Sequence, residues 1–299
     1  IEIALLLIVL AGLAAMSPCL NNEFINWDDP AQVIRNPLVR DLSVPNLIRI
    51  FKTSVTREYH PLVTLTYAAE YYFWGLKPFP YHFHNLLLHL GNGILVFLLI
   101  RRLFPGRISF SFFGALIFVI HPLHVQPVAW VSGRKDLLYA FFYLIALLSY
   151  LRYLKMRKAL FYFLTLFLGV CSMLSKTIAV TLPLALIFCD YFENRKLDKK
   201  RILEKTPLIL PALILGLITL NFQLAPEPGS RIHSEFSLNN LLIGVRAIMF
   251  YLRTAFLPLN LAPFYYFPKT LNLLFRSSIF SFLSLVTLAT AFWSAGRSA

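Results

Sequence analysis

The stretch HFHNLLLHLGNGILVFLLI, residues 82–100, decides the fold class. It holds no Asp, Glu, Lys or Arg. As a helix rising 1.5 Å per residue it reaches about 28 Å, close to the thickness of a hydrocarbon core. Its polar residues His82, Asn85, His89 and Asn92 are spaced three, four and three apart, which places them on one helical stripe. An unsatisfied polar group in lipid costs several kcal/mol, so that stripe must face other helices and find hydrogen bonds there. Working outward, comparable apolar stretches lie near 3–20, 108–123, 137–154, 159–174, 177–192, 206–223, 238–257 and 278–294. Together they predict an all-α integral membrane bundle of about nine helices. Composition agrees: 58% of the 299 residues are hydrophobic, 14% are charged and the mean hydropathy is +0.67, which excludes an ordinary soluble domain. The first stretch lacks a basic flank and is expected to be a membrane anchor rather than a cleaved secretory signal. The chain is expected to continue at both ends.

A formal net charge of +14 would suit a nucleic-acid binder, but that reading needs a soluble basic surface, and this chain has little soluble surface. The cations cluster instead in alternate connections: Arg101, Arg102 and Arg107; Arg152, Lys155, Arg157 and Lys158; Arg195, Lys196, Lys199, Lys200, Arg201 and Lys205. The positive-inside rule makes these connections cytoplasmic and puts those near 21–80, 121–136, 175–176 and 224–237 on the opposite face. Cys19, Cys171 and Cys189 have neither metal-ligand spacing nor the pattern of a disulfide framework.

The 21–80 connection is by far the longest outer loop and is too rich in aromatic and apolar residues to stay unfolded. Val44, Leu47, Ile48 and Phe51 share a helical face, and Pro61 to Trp74 reads as a second amphipathic helix, both suited to lying along the membrane surface. The whole chain, 1–299, reads as one transmembrane domain with this folded loop.

Chemistry concentrates on the outer side. Asp28 and Asp29, in Asn26-Trp27-Asp28-Asp29-Pro30, could act as a general base or bind a divalent cation, Mg or Mn being the candidates; the alternative is an Asx turn before a proline. Arg134 and Lys135 sit where the positive-inside rule disfavours them, which calls for an anionic partner: a ligand phosphate, or internal ion pairs with Asp136 in the first turn of the next helix. Lys176, between two apolar segments, either snorkels or meets an anion. His82 and His89 lie two turns apart, but no carboxylate or cysteine on their helix completes a metal set. Arg246 and Arg253, seven apart, form a further cationic stripe that could reach a lipid phosphate or pair with buried acids.

With these residues in view the chain resembles the GT-C glycosyltransferase superfamily, and most closely the transmembrane O-mannosyltransferases with carboxy-terminal tetratricopeptide repeats and their prokaryotic relatives. Asn26-Trp27-Asp28-Asp29 looks like that family's acidic first-loop motif, and Tyr59-His60-Pro61-Leu62 resembles its Tyr-Arg-Pro-Leu. Tyr81-His82 with Asn85, His89 and Asn92 matches its second-helix pattern. His121-Pro122 through Ala129-Trp130, with Ser132-Gly133-Arg134-Lys135-Asp136, looks like its second-loop signature, and Leu174-Ser175-Lys176 resembles its Leu-Ser-Lys-Glu. The likeness covers roughly residues 20–265.

The resemblance implies a polyprenyl- or dolichyl-phosphate sugar donor, an acceptor hydroxyl on a protein or glycan, and inverting transfer at the outer surface. It also implies that Asp28 or Asp29 is the base, with Arg134 and Lys176 near the donor phosphate. The membrane would be a bacterial inner membrane, or the endoplasmic reticulum in a eukaryote, with the site facing periplasm or lumen. Two departures stand out: Gln126 stands where the family commonly has Glu and Thr177 follows Lys176 where Glu is usual; a lost second-loop carboxylate could abolish metal binding or shift the base entirely onto the first-loop pair. Membrane lipid is an expected partner and nucleic acid is not. A secondary transporter would instead concentrate ionisable residues near the bilayer midplane. An inactive lipid-binding subunit would tolerate loss of both aspartates.

Overall fold

The computed structural model describes residues 1–196, 198–224, 238–262 and 265. Two compact units divide the chain, Ile1–Ala225 and Pro226–Ala299. Among the described residues there is no strand beyond one isolated bridge, Val55 to Glu58. The fold is all-α, as the periodicities predict.

The first unit opens with α1 (Glu2–Met16), prolonged by a 3₁₀ turn (Ser17–Asn21). The outer loop holds short turns at Pro30–Ile34 and Pro37–Val39, then α2 (Val44–Lys52) and α3 (Pro61–Trp74). Next come α4 (Pro78–Leu103) and α5 (Ile108–Ile120). A 49° bend then leads through Pro122–His124 to α6 (Val125–Ala129). After α7 (Arg134–Met156) and α8 (Ala159–Ser175), a 3₁₀ turn (Thr177–Thr181) feeds α9 (Leu182–Phe192). The unit ends with α10 (Lys199–Leu203) and α11 (Thr206–Leu224). Proline opens α3 and α4, where its missing N–H costs nothing and its fixed φ suits a first turn. The second unit contributes α12 (Leu238–Phe256), which carries half-buried Arg246 and exposed Arg253. The expected ninth helix, 278–294, and most of the 224–237 connection lie outside the described residues.

Among the described residues four helices are long and apolar enough to cross a membrane: α1 with its 3₁₀ extension, α4, α7 with the turn before it, and α11. The bent α5–α6 pair makes a fifth if it is one span. The sequence reads 108–123 and 177–192 as single spans, whereas the structure breaks the first at His121 and begins the second with a 3₁₀ turn. The first break has Pro122 directly behind it, and the residue before a proline is steered away from helical geometry, as extended His121 shows.

Phe113, Ile117, Phe163 and Phe167 each expose more than half of their surface, 58, 59, 64 and 66%. Apolar faces of this extent on packed helices are what lipid covers. Inside, Leu147, Tyr150, Leu151, Met173, Leu182 and Leu208 form the main core where α7, α8, α9 and α11 meet. On the other side of α4 the backbones close up on glycine: a Cβ at Gly93 would stand 2.2 Å from Val119 Cγ1 of α5. The outer loop is folded, with Val33, Val39, Val63 and Tyr67 packed against Tyr81 of α4 and Leu138 of α7. On α2 the apolar face is turned outward, with Val44, Ile48 and Phe51 exposed, while Asn46 and Ile50 point inward.

Candidate active site

The site is assembled by the polar stripe of α4. His82, Asn85, His89 and Asn92 are all fully buried. The Asn85 amide donates to the Trp130 carbonyl (3.0 Å) and its Oδ1 accepts from Arg134 Nε (2.8 Å), while Asn92 donates to the Leu137 carbonyl (2.9 Å). His89 Nε2 meets the Val119 carbonyl at 3.0 Å. The stripe therefore ties α4 to the end of α5, to the 121–136 segment and to the first turn of α7. Gly133 permits the last bend: a Cβ there would meet the backbone of Pro127 at 2.8 Å.

Arg134 is 1% exposed. Its guanidinium contacts Asn85, the Thr66 hydroxyl (3.2 Å), the Tyr81 carbonyl (2.9 Å) and Glu70 (2.5 Å), and lies over the Tyr67 ring. Glu70 also binds His84 Nδ1 at 2.6 Å. Four of the five guanidinium N–H groups are thus directed at groups of the chain itself. This is the arrangement of an internal ion pair, with Glu70 and not Asp136 as the partner. Tyr67 donates to the Val131 carbonyl at 2.8 Å, and burial holds its phenol above the usual value, so it remains a donor.

The two aspartates of the acidic motif have different surroundings. Asp29 is fully buried: one oxygen accepts from the Ser132 amide (2.9 Å) and hydroxyl (2.5 Å), the other from the Ile25 amide (2.9 Å). It latches the 21–80 loop to the 121–136 segment across 103 residues of sequence. Asp28 beside it is half-buried, and its carboxylate makes no hydrogen bond to a described residue. Next to it Trp27 packs edge-on against Trp130.

Trp130 lines a cavity of about 370 Å³ together with His89, Asn92, Phe118, Gln126, Asp136 and Tyr139. Trp130 Nε1, His89 Nδ1 and Asn92 Oδ1 are buried without a hydrogen-bond partner among the described residues. His121 lies at the bend, its Nδ1 accepting from the Leu123 amide. A smaller cavity, about 150 Å³, is lined by Glu58, His60, Lys135, Lys176 and Thr177 among others. Lys176, at the C-terminus of α8, reaches Asp136 at 2.5 Å, so one ion pair stands between the two cavities. Lys135 pairs with Glu58 at 2.5 Å, and buried His60 lies 3.6 Å from the same carboxylate. Burial raises the Glu58 pKa, but hydrogen bonds and charge from His60 and Lys135 outweigh it and hold the carboxyl at about 2.

The structure thus gathers Asp28, Asp29, His60, His82, His89, His121, Gln126, Arg134, Lys135, Asp136 and Lys176 within the first unit, at the α4 and α7 N-terminal end. Arg246 and Arg253 belong to the second unit. The oxygens of Asp29 accept from three N–H and O–H donors, which leaves Asp28 as the more open carboxylate of the pair. No group of three or more His, Cys, Asp and Glu converges among the described residues. Glu58, Glu70 and His84 are the ionic partners that sequence reading overlooks. Glu70 carried a signal, since it is a lone acid three residues from Tyr67 on the apolar face of α3, and such an acid needs a buried cation.

No family model matches the chain, and no solved structure matches it. Curated proteins do. "Protein O-mannosyl-transferase Tmtc1" of Drosophila melanogaster is 32% identical over 230 residues, 72% of this chain and 26% of that protein. "Protein O-mannosyl-transferase TMTC1" of Homo sapiens is 31% identical over 217 residues, 63% and 24% respectively, and "Protein O-mannosyl-transferase tmtc2" of Xenopus laevis is 33% identical over 156 residues, 50% and 18%. The chain spans about a quarter of the length of the first two. By its sequence, the chain is a homologue of the TMTC protein O-mannosyl-transferases.

Proposed function

We propose that the chain is the membrane-embedded part of a glycosyltransferase. It would move a hexose, mannose by preference, from a polyprenyl- or dolichyl-phosphate donor to a hydroxyl on a protein or glycan at the non-cytoplasmic face. The activity for which the relatives are named supports the reaction class. The observation that carries the reading is the division of labour in the acidic motif. Three hydrogen bonds pin Asp29, and this leaves Asp28 open next to Trp27, whose ring packs on Trp130 of the larger cavity's lining.

In the proposed reaction Asp28 accepts the proton of the acceptor hydroxyl as its oxygen bonds to the sugar C1. The bond from C1 to the phosphate oxygen breaks, and the phosphate leaves with the electron pair. One displacement inverts C1. Lys176 and Lys135 each spend one ammonium proton on a carboxylate and keep two to offer the departing phosphate. Arg134 is a positioning residue behind them. The larger cavity suits the sugar: Phe118, Trp130 and Tyr139 offer ring faces, and Asn92 Oδ1 and His89 Nδ1 offer unpartnered acceptors to its hydroxyls. No step is routed through a metal.

The test is a panel of labelled polyprenyl-phosphate sugars supplied to membranes bearing this chain, with Ser/Thr-containing acceptor peptides. Transfer of mannose above that of empty membranes is expected. If no sugar is transferred from any donor while the donors themselves are bound, the chain is a lipid-binding subunit and the catalytic reading fails.

A further inference from the structure

A wide groove of the first unit lies at the other end of the helices. It has a volume of about 810 Å³ and is lined by Leu98, Arg101 and Arg102 of α4, by Leu148, Ser149, Arg152, Lys155 and Met156 of α7, and by Phe161 of α8. From Arg134 to Arg152 is 18 residues along α7, about 27 Å at 1.5 Å per residue. From Asn85 to Arg102 is 17 residues along α4, about 26 Å. Both separations approach a hydrocarbon thickness of about 30 Å, so the groove and the candidate active site occupy opposite membrane interfaces.

Four cations converge here and no carboxylate is among the lining residues. Arg102 is neutralised by Glu193 at 2.9 Å. Arg152 lies over the Phe161 ring, 5.1 Å from its centroid. Arg101 and Lys155 make no ion pair among the described residues. The remainder of the lining is apolar, and Leu98 and Met156 are exposed where lipid would touch them. Two exposed and two half-buried cations therefore surround an apolar slot at one membrane interface, where they attract anionic headgroups.

We propose that this groove is a binding site for an anionic glycerophospholipid of the cytoplasmic leaflet. Its phosphate sits among Arg101, Arg152 and Lys155, and an acyl chain runs along Leu98, Leu148 and Phe161. Membrane lipid is the occupant because the slot joins charge to an apolar wall at interface depth, and because basic clusters of this kind face the leaflet that carries anionic lipids. The site is separate from the transfer chemistry and does not depend on it.

Native mass spectrometry of the purified chain, titrated with phosphatidylglycerol or phosphatidylcholine, tests the proposal. The chain should retain phosphatidylglycerol at least tenfold more tightly. Each cation near an anionic surface is worth roughly fivefold in affinity, so Arg101→Gln/Arg152→Gln/Lys155→Gln should erase the preference, and Arg101→Gln or Lys155→Gln alone should weaken it about fivefold. Lys196→Gln/Lys199→Gln/Lys200→Gln removes the same charge elsewhere and should leave it intact. Equal retention of the two lipids, an equal loss in both triple variants, or displacement of the lipid by soluble glycerol phosphate would each overturn the site. The single variants keep the test decisive if the triple variant fails to fold.

Discussion

Replacing Glu70 by Gln removes the counter-charge of an arginine that is 1% exposed, and the surroundings of that arginine set the cost. At the surface such a pair would contribute about 0–1 kcal/mol. Breaking a buried pair by deleting one partner costs about 3–5 kcal/mol, because the remaining charge is stranded away from water. Arg134 keeps Asn85, Thr66 and the Tyr81 carbonyl, all of them dipoles, so the lower half of that range is expected for Glu70→Gln: about 3 kcal/mol. Arg134→Met alone strands Glu70 beside His84 and should cost a similar amount. The double variant Glu70→Gln/Arg134→Met buries no charge and should lose about 2 kcal/mol less than the two single losses added together. Reversible unfolding in mixed micelles measures all three. If both single variants lose less than about 1 kcal/mol, or the losses simply add, Arg134 is not held as an internal pair and its assignment as a positioning residue falls.

Other parts of the site yield narrower expectations. Asp29→Asn puts an amide N–H against the Ile25 N–H and removes the charge from the Ser132 bonds, so it should cost about 2–4 kcal/mol, whereas Asp28→Asn should leave the unfolding midpoint unchanged. Equal stability losses would erase the distinction between latch and base. Gly133→Ala drives a Cβ into the Pro127 backbone and should lower both the melting temperature and the transfer rate; an unchanged melting temperature would mean the loop has room to shift. The Glu58 carboxyl is depressed to about 2, so its contribution to stability is complete above the ordinary carboxylate range near 4.5 and fades as pH falls toward 2. Glu58→Gln should flatten that part of the acid-unfolding curve, and an identical curve for both proteins would show that the pairing with Lys135 is not formed.

Much of this arrangement was legible in the sequence because lipid leaves few solutions. The uncharged run 82–100 had to be a helix, and its four polar residues had to point at protein; α4 places all four in the interior. The span 159–174 and the helix 61–74 coincide with α8 and α3 within a residue. What the sequence did not disclose was pairing. The cation partners Glu58 and Glu70 sit on the outer loop, 77 and 64 residues from Lys135 and Arg134, and only the packing of that loop onto α4 and α7 brings them within reach. The inequality of Asp28 and Asp29 was equally hidden, since adjacent carboxylates look alike until Ser132 is folded against one of them. The break at His121 depends on whether α5 can continue past Pro122, a balance of local strain that apolar content does not report.

The central claim is that Asp28 is the base, with Asp29 as the latch that positions it. The most direct measurement is the rate of labelled mannose transfer from polyprenyl-phosphate mannose, under saturating donor, by membranes bearing the parent chain or Asp28→Asn. General-base help is typically worth about 10²–10⁴ in rate, so the variant should turn over at least a hundredfold more slowly with donor binding and thermal stability retained. Transfer by Asp28→Asn at the parent rate would contradict the account.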